Sequence, residues 1–70
     1  MMPLSLAEQN KKITIKNVGG KKETRRHLEN LGISPGVDIV VVKRANACVI
    51  VSIKGVKLAI DERTAKSIFV

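Results

Sequence analysis

Side chains able to support nucleophilic or acid–base chemistry are scarce in this sequence. His27 is the only histidine and Cys48 the only cysteine, and the chain has neither tyrosine nor tryptophan. A Cys–His nucleophilic pair requires a general base held close to the thiol. His27 falls on the flank of a predicted helix and Cys48 begins a predicted strand, so we expect a surface histidine and a small strand residue instead. The sequence therefore predicts no catalytic site and a protein that is not an enzyme.

Ligands for a metal ion or a cofactor are also few. Zinc and iron sites draw three or four protein ligands from clustered Cys, His and carboxylate groups. The six carboxylates stand apart along most of the chain, at Glu8, Glu23, Glu29, Asp38, Asp61 and Glu62. The run Gly19–Lys22 combines glycine with lysine but lacks the spacing of a P-loop. We therefore predict neither a metal site nor a cofactor.

Charge is the extreme feature of the composition. Lysine and arginine outnumber the acidic residues by 13 to 6, which gives a formal net charge of +7. One dense cluster defines what we call the basic face: Lys21, Lys22, Arg25 and Arg26. Lys21 and Lys22 fall at the positive end of a helix dipole, and Lys22 and Arg26 are like charges one turn apart, so the cluster costs helix stability. We therefore predict that the basic face binds an acidic partner; a face that is merely solvated is the alternative.

Branched apolar residues of the predicted strands indicate a second surface. Alternation directs one set toward the core: Ile39, Val41, Val49, Val51 and Ile53. Val40, Val42 and Ile50 then point outward and form what we call the outer patch, a weaker predicted partner-binding surface. The alternative is that short segments or the helix cover these three side chains.

The first half of the chain predicts three elements. Ser5–Glu8 fits a capping box, so we expect a helical turn capped by Ser5, with Leu4 and Leu6 packed on the body. Residues 13–18 alternate between apolar and polar side chains, which predicts a half-buried strand with an irregularity near its end. Residues 21–31 then change to helical spacing, which predicts an amphipathic helix.

The predicted helix is followed by two glycine-dependent turns. Its apolar stripe comprises Thr24, Leu28 and Leu31. Gly32 stands where a helix commonly ends on a left-handed glycine. Pro35 and Gly36 occupy the second and third positions of a type II turn. We expect Gly32, Pro35 and Gly36 to shape the connection without touching a ligand.

The second half of the chain is a series of short strand patterns. We predict strands at 37–43, 48–54, 56–60 and 67–70, with Arg44–Ala47 as a polar connection. Asp61 is predicted to cap a helical turn that runs to Lys66. Closing these strands into a small barrel removes exposed edges. The predicted fold is therefore mainly β: one domain over residues 1–70, a barrel of about five short strands, one helix inserted after the first strand, and short helical turns near both ends.

Nucleic acid is the alternative partner for so basic a chain. Single-strand binders of this size stack bases on aromatic side chains, and Phe69 is the only aromatic residue here. Binding through the phosphate backbone alone stays open. Apolar runs such as Ile39–Val42 are far shorter than the ~20 residues that span a bilayer, so we expect a protein that is not embedded in the membrane. The lone cysteine favours a reducing cytoplasm.

With its elements placed, the chain resembles the FeoA family of ferrous iron transport accessory proteins over nearly its whole length. The matching segments are Pro3–Glu8, the glycine-rich turn into the basic helix, Leu31–Gly36 and Val56–Ile60. The resemblance implies an SH3-like barrel and a cytoplasmic adaptor that docks on FeoB, a membrane permease whose cytosolic part is a GTP-binding domain. The resemblance also implies that the protein carries out no chemistry itself and has no well-defined iron site. The chain departs from the family in its short Arg44–Ala47 connection and in Thr24, where a larger apolar residue is usual.

Overall fold

Six short strands, two α-helices and one 3₁₀ turn make up the computed structural model, which describes residues 1–70. In chain order these are the 3₁₀ turn Leu4–Leu6, β1 Lys12–Thr14, β2 Asn17–Val18, α1 Lys22–Asn30, β3 Asp38–Ala45, β4 Cys48–Ile53, β5 Val56–Asp61, α2 Glu62–Ala65 and β6 Ile68–Phe69. The strands form an antiparallel sheet of order β1-β3-β4-β5 and a separate β2-β6 ribbon. The prediction of a small, mainly β fold with one inserted helix is confirmed.

The core lies between the sheet and the ribbon. All five residues predicted to point inward from the central strands are at most 5% exposed: Ile39, Val41, Val49, Val51 and Ile53. β5 departs from the expectation, because its inner row is covered only in part. Ile60 is buried and Leu58 half-buried, but Val56 is 59% exposed. β5 pairs only with β4, so the predicted closure of the strands is incomplete along this edge.

The strand predicted at 13–18 is two strands that belong to different sheets. β1 pairs with β3, and β2 pairs with β6. The switch occurs between neighbouring residues: the N–H of Ile15 donates to Val37, whereas the N–H of Lys16 donates to Phe69. The irregularity expected near the end of this strand is therefore the point where the chain crosses from the sheet to the ribbon.

Helix α1 ends on Gly32, as predicted. Gly32 has φ +89°, and its N–H donates to Glu29 while the N–H of Ile33 donates to Leu28. These two hydrogen bonds form a Schellman motif, which satisfies carbonyls at the helix end. Leu28 and Ile33 are both in the core, but Leu31 is 38% exposed. Leu31 was therefore wrongly assigned to the buried stripe, because it lies beyond the last helical residue.

The predicted type II turn follows directly. Val37 N–H donates to the carbonyl of Ser34 at 3.2 Å, and Gly36 takes φ +91°. Pro35 and Gly36 thus hold the two central positions. The N–H of Gly36 also donates to Ile15 at 2.8 Å, which fastens the turn to the chain segment after β1.

The amino-terminal turn differs from the prediction in two respects. It begins after Pro3, which makes no side-chain capping bond, so Ser5 is not its cap. Leu4 is fully buried as expected, but Leu6 is 72% exposed. One turn of 3₁₀ helix presents only one side to the core, and Leu4 occupies it.

A β-bulge in β3 corrects the predicted 44–47 connection. Val41 pairs with Val51 and Lys43 pairs with Ile50, so Val42 is an extra residue in the ladder. The bulge moves the next inward position from residue 43 to Arg44. The strand continues to Ala45, which reduces the connection to two residues, 46 and 47.

Both ends of the chain meet beside β6. The N–H of Met2 donates to Val70 at 3.0 Å, and the N–H of Val70 donates back to Met2 at 2.9 Å. Pro3 bridges Phe69 in the same antiparallel sense. β6 is therefore flanked by β2 on one side and by the amino-terminal residues on the other.

Candidate docking surfaces

The basic face is exposed in the structure. Lys21 stands at the N-cap of α1 without making a side-chain capping bond, and the other three cations lie on the first turns of the helix. Lys22, Arg25, Arg26 and Glu29 line a shallow open groove of about 300 Å³. Three of the four predicted cations therefore line one accessible groove, and Lys21 is exposed at the N-cap next to Lys22.

No ion pair neutralises the basic face. The salt bridges of the protein join Lys11 to Glu8 at 3.8 Å and Lys12 to Asp38 at 3.9 Å. Glu23 and Glu29 share the helix with the cations, yet neither approaches one within 4 Å. Lys21 and Lys22 are unfavourable at the positive end of the helix dipole, and Lys22 and Arg26 repel each other one turn apart. An acidic surface brought against them would relieve that repulsion.

The outer patch forms on the outside of β3 and β4. Val40, Val42 and Ile50 are each half-buried, while their neighbours Ile39, Val41, Val49 and Val51 fill the core. Ala59 of β5 is exposed and lies opposite Ile50. The patch is thus open enough to be touched, although neighbouring strands cover part of each side chain.

Lysines surround the outer patch on the same face of the sheet. Lys12 lies opposite Val40 and Lys43 opposite Ile50. Lys57 is one strand further on, opposite Ser52. All three lysines are exposed. An apolar centre with a cationic rim fits a partner that combines acidic and apolar side chains.

The largest groove adjoins this patch, at about 550 Å³. Its lining consists of Lys12, Gly36, Val37, Asp38, Val40, Ser52, Lys54 and Gly55. Gly36 therefore borders an open surface, whereas sequence reasoning gave it a purely structural place. Lys12 and Lys54 were not singled out from the sequence, because their proximity depends on how β1 and the β4–β5 turn meet across the sheet.

Residues able to perform chemistry are not brought together. His27 is exposed on α1, and Cys48 is an exposed free thiol at the start of β4. No group of three or more His, Cys, Asp or Glu side chains is arranged to hold a metal ion. No helix has both the length and the apolar character needed to cross a membrane.

One carboxylate has a clear structural role. Asp61 accepts a hydrogen bond from the N–H of Thr64 at 3.3 Å and so caps α2, as predicted. Hydrogen bonding from the Thr64 side chain is the main cause that lowers the pKa of Asp61 below its ordinary value of 3.8. The Thr64 backbone N–H and the charge of Arg63 act in the same direction.

Comparisons with known proteins agree with this architecture. The model of the FeoA domain matches residues 2–70. A Methanocaldococcus jannaschii protein provisionally named Fe(2+) transport protein A is 30% identical over 70 residues, which is all of this chain and 85% of that protein. The crystal structure of an iron uptake regulatory protein, FeoA, has a TM-score of 0.86 and 29% identity, covering 96% of this chain and 91% of that one.

A third similar protein is the FeoA protein from Chlorobium tepidum. Its solution structure has a TM-score of 0.86 at 25% identity and covers 96% of this chain and 66% of that one. The predicted SH3-like barrel agrees with these neighbours, and the family model spans nearly every residue described above. The chain belongs to the FeoA family.

Proposed function

We propose that this protein is a non-enzymatic, cytoplasmic accessory protein of ferrous iron transport. In this proposal it docks on the cytosolic GTP-binding part of a FeoB-type permease. Membership of the FeoA family and similarity to the protein named Fe(2+) transport protein A support the transport role. Iron is the cargo of the permease, and this chain contributes a binding surface.

The observation that carries the docking proposal is the set of exposed, unpaired cations at Lys21, Lys22, Arg25 and Arg26. Opposed charges across an interface accelerate encounter and fix orientation more than they raise affinity. The basic face would therefore steer the protein onto an acidic area of the permease. The outer patch would add a second, apolar contact, with Val40, Val42 and Ile50 at its centre.

Binding to the purified permease in nanodiscs tests the proposal directly. The double variant Lys22→Glu with Arg26→Glu is expected to lose at least about tenfold in affinity, because two attractive contacts become repulsive. A matched control, Lys11→Glu with Lys16→Glu, makes the same change in net charge at exposed positions away from α1. Equal loss in both variants would show that only the overall charge matters, and unchanged capture by the first variant would overturn the basic-face assignment.

The outer patch is tested separately. Val42→Ser replaces the two methyl groups of valine with a single hydroxyl at a half-buried, outward position of the bulge. We expect it to weaken permease binding without changing the salt dependence, since no charge is altered. Wild-type binding by Val42→Ser would remove the outer patch from the proposed interface.

Nucleic acid binding is the outcome that would contradict this function. Phe69, the only aromatic residue, is half-buried in β6, so the surface offers no exposed aromatic platform for bases. We expect no DNA or RNA binding at about 50 mM salt. Tight binding that falls steeply with added salt would instead assign the basic face to phosphate groups.

A further inference from the structure

Strand β5 has a hydrogen-bonding partner on one side only. It pairs with β4 from Val56 to Asp61, and residues 54–60 take part in none of the backbone hydrogen bonds that lie outside the helices and strands. The strand is six residues long. An uncovered edge of this kind is a template for the addition of another strand.

The hairpin between β4 and β5 determines which backbone groups face this edge. Its loop has two residues, Lys54 and Gly55, both with positive φ, and Ile53 lies opposite Val56. Opposed residues alternate between pairs that exchange hydrogen bonds and pairs that do not, and the pair flanking a two-residue loop is bonded. The residues of β5 bonded to β4 are therefore Val56, Leu58 and Ile60. The residues with outward N–H groups are Lys57, Ala59 and Asp61.

The edge is also accessible. Lys57 and Ala59 are exposed, and Val56 is 59% exposed. After β5 the chain turns back toward the neighbouring hairpin, because the N–H of Glu62 donates to the carbonyl of Ala47 at 2.8 Å. Helix α2 thus packs at the β4 side and leaves the other side of β5 open.

We propose that the free edge of β5 pairs with β5 of a second copy of this chain, antiparallel and about a two-fold axis at Ala59. In this register Ala59 lies opposite Ala59 of the second copy. Lys57 of each copy lies opposite Asp61 of the other, which gives two Lys57–Asp61 pairs. The two Ala59 residues exchange a pair of hydrogen bonds. Each Asp61 N–H donates to the Lys57 carbonyl of the other copy, while the Asp61 carbonyl stays with α2.

Charge complementarity favours a second copy of this chain as the partner of the β5 edge, and it also determines the register of the two strands. Centring the axis on Lys57 would set two lysines opposite each other, and centring it on Asp61 would set two carboxylates opposite each other and bring α2 into the ladder. Only Ala59 gives opposite charges in both outer pairs, which is the favourable cross-strand arrangement. Its small side chain also lets the two backbones approach. A two-fold contact of this kind closes on itself, so it stops at the dimer.

Sedimentation equilibrium of the full chain tests the proposal. The weight-average mass of the wild type should rise from 7.6 kDa toward twice that value between about 20 µM and 2 mM, as expected for a small interface. Lys57→Glu and Asp61→Lys should each weaken self-association at least about tenfold, since each creates two like-charge pairs. An equal mixture of the two variants should recover it, because both outer pairs then join opposite charges.

A residue-specific measurement separates this interface from any other. Amide hydrogen exchange at Ala59 should slow as the protein concentration rises, whereas exchange at Leu58, already bonded to β4, should not change. Ala59→Pro removes the outward N–H and should leave a folded monomer at every concentration, since an edge strand tolerates proline there. A wild type that stays monomeric, a mixture that fails to recover association, or a dimer without protection at Ala59 would each overturn the proposal.

Discussion

Arg44 donates a hydrogen bond from Nε to the backbone carbonyl of Ser5 at 2.9 Å. Its Nη2 also donates to the carbonyls of Leu4, at 3.3 Å, and Ala7. One half-buried guanidinium thus satisfies three carbonyls of the amino-terminal turn and fastens it to β3, which begins more than thirty residues later in the chain. The planar fork of donors suits arginine to this position better than lysine.

Replacing Arg44 with alanine should therefore destabilise the fold. We expect a loss of about 2 kcal/mol in the free energy of unfolding, because three partly buried carbonyls lose a charged donor. Urea denaturation followed by circular dichroism measures the change. Lys43→Ala is the matched control: its side chain is exposed on the outer face of the same strand, and its effect should stay within about 0.5 kcal/mol. Equal effects of the two substitutions would contradict the role given to Arg44.

Substitution of Gly32 tests the Schellman motif at the end of α1. A Cβ at Gly32 would meet nothing within 4 Å, but φ is +89°, so Gly32→Ala should cost about 1 kcal/mol through backbone strain alone. Gly19→Ala is the comparison, because Gly19 has no positive φ and its Cβ would make ordinary contacts at 3.5 and 3.7 Å. Thermal unfolding should show a lower midpoint for the first variant only. A neutral Gly32→Ala would argue against the left-handed helix end.

Replacing Lys22 with glutamate should have opposite effects on stability and on permease binding. Lys22→Glu places a negative charge in the first turn of α1, where it interacts favourably with the helix dipole, and should raise the free energy of unfolding by about 0.5 kcal/mol. The same change should weaken permease binding. Lys16→Glu, exposed and outside any helix, should raise stability less. Destabilisation by Lys22→Glu would show that the lysine has a structural contact.

Asp61 should make stability depend on pH in the acidic range. Since its pKa is lower in the folded protein than the ordinary 3.8, its capping contribution is complete above that value and is lost as pH falls through the folded pKa. Asp61→Asn keeps a capping side chain without the titration. The advantage of the wild type over Asp61→Asn in melting temperature should shrink between about pH 6 and pH 2. A constant difference across that range would contradict the cap as the source.

Features that depend on neighbouring residues were predictable from the sequence. The helix end at Gly32, the Pro35–Gly36 turn and the Asp61 cap each follow from one or two residues with a strong local preference. The inward row Val49, Val51 and Ile53 follows from strict alternation within a strand. The closeness of the four cations was predictable for the same reason, because three of them lie on one helix and Lys21 is its N-cap.

Features that depend on pairing between distant segments of the chain were not predictable from the sequence. The Val42 bulge arises from the register between β3 and β4, and only this register turns Arg44 inward. The crossing from sheet to ribbon at Ile15 and Lys16 depends on their separate partners, Val37 and Phe69. Likewise, the open edge of β5 is a property of how the strands are ordered, so alternation along β5 wrongly assigned Val56 to the interior.

The reciprocal hydrogen bonds between Met2 and Val70 have a consequence for how the protein folds during its synthesis. They join residues 68 positions apart in the sequence. The ribbon also depends on β6, which pairs with β2 on one side and with the amino-terminal residues on the other. A ribosome-bound chain cannot form this ribbon until residue 70 has left the exit tunnel, so Met2, Pro3 and β2 must wait unpaired during synthesis. We expect a nascent chain stalled before that point to remain sensitive to protease, and one extended by a long linker to become resistant.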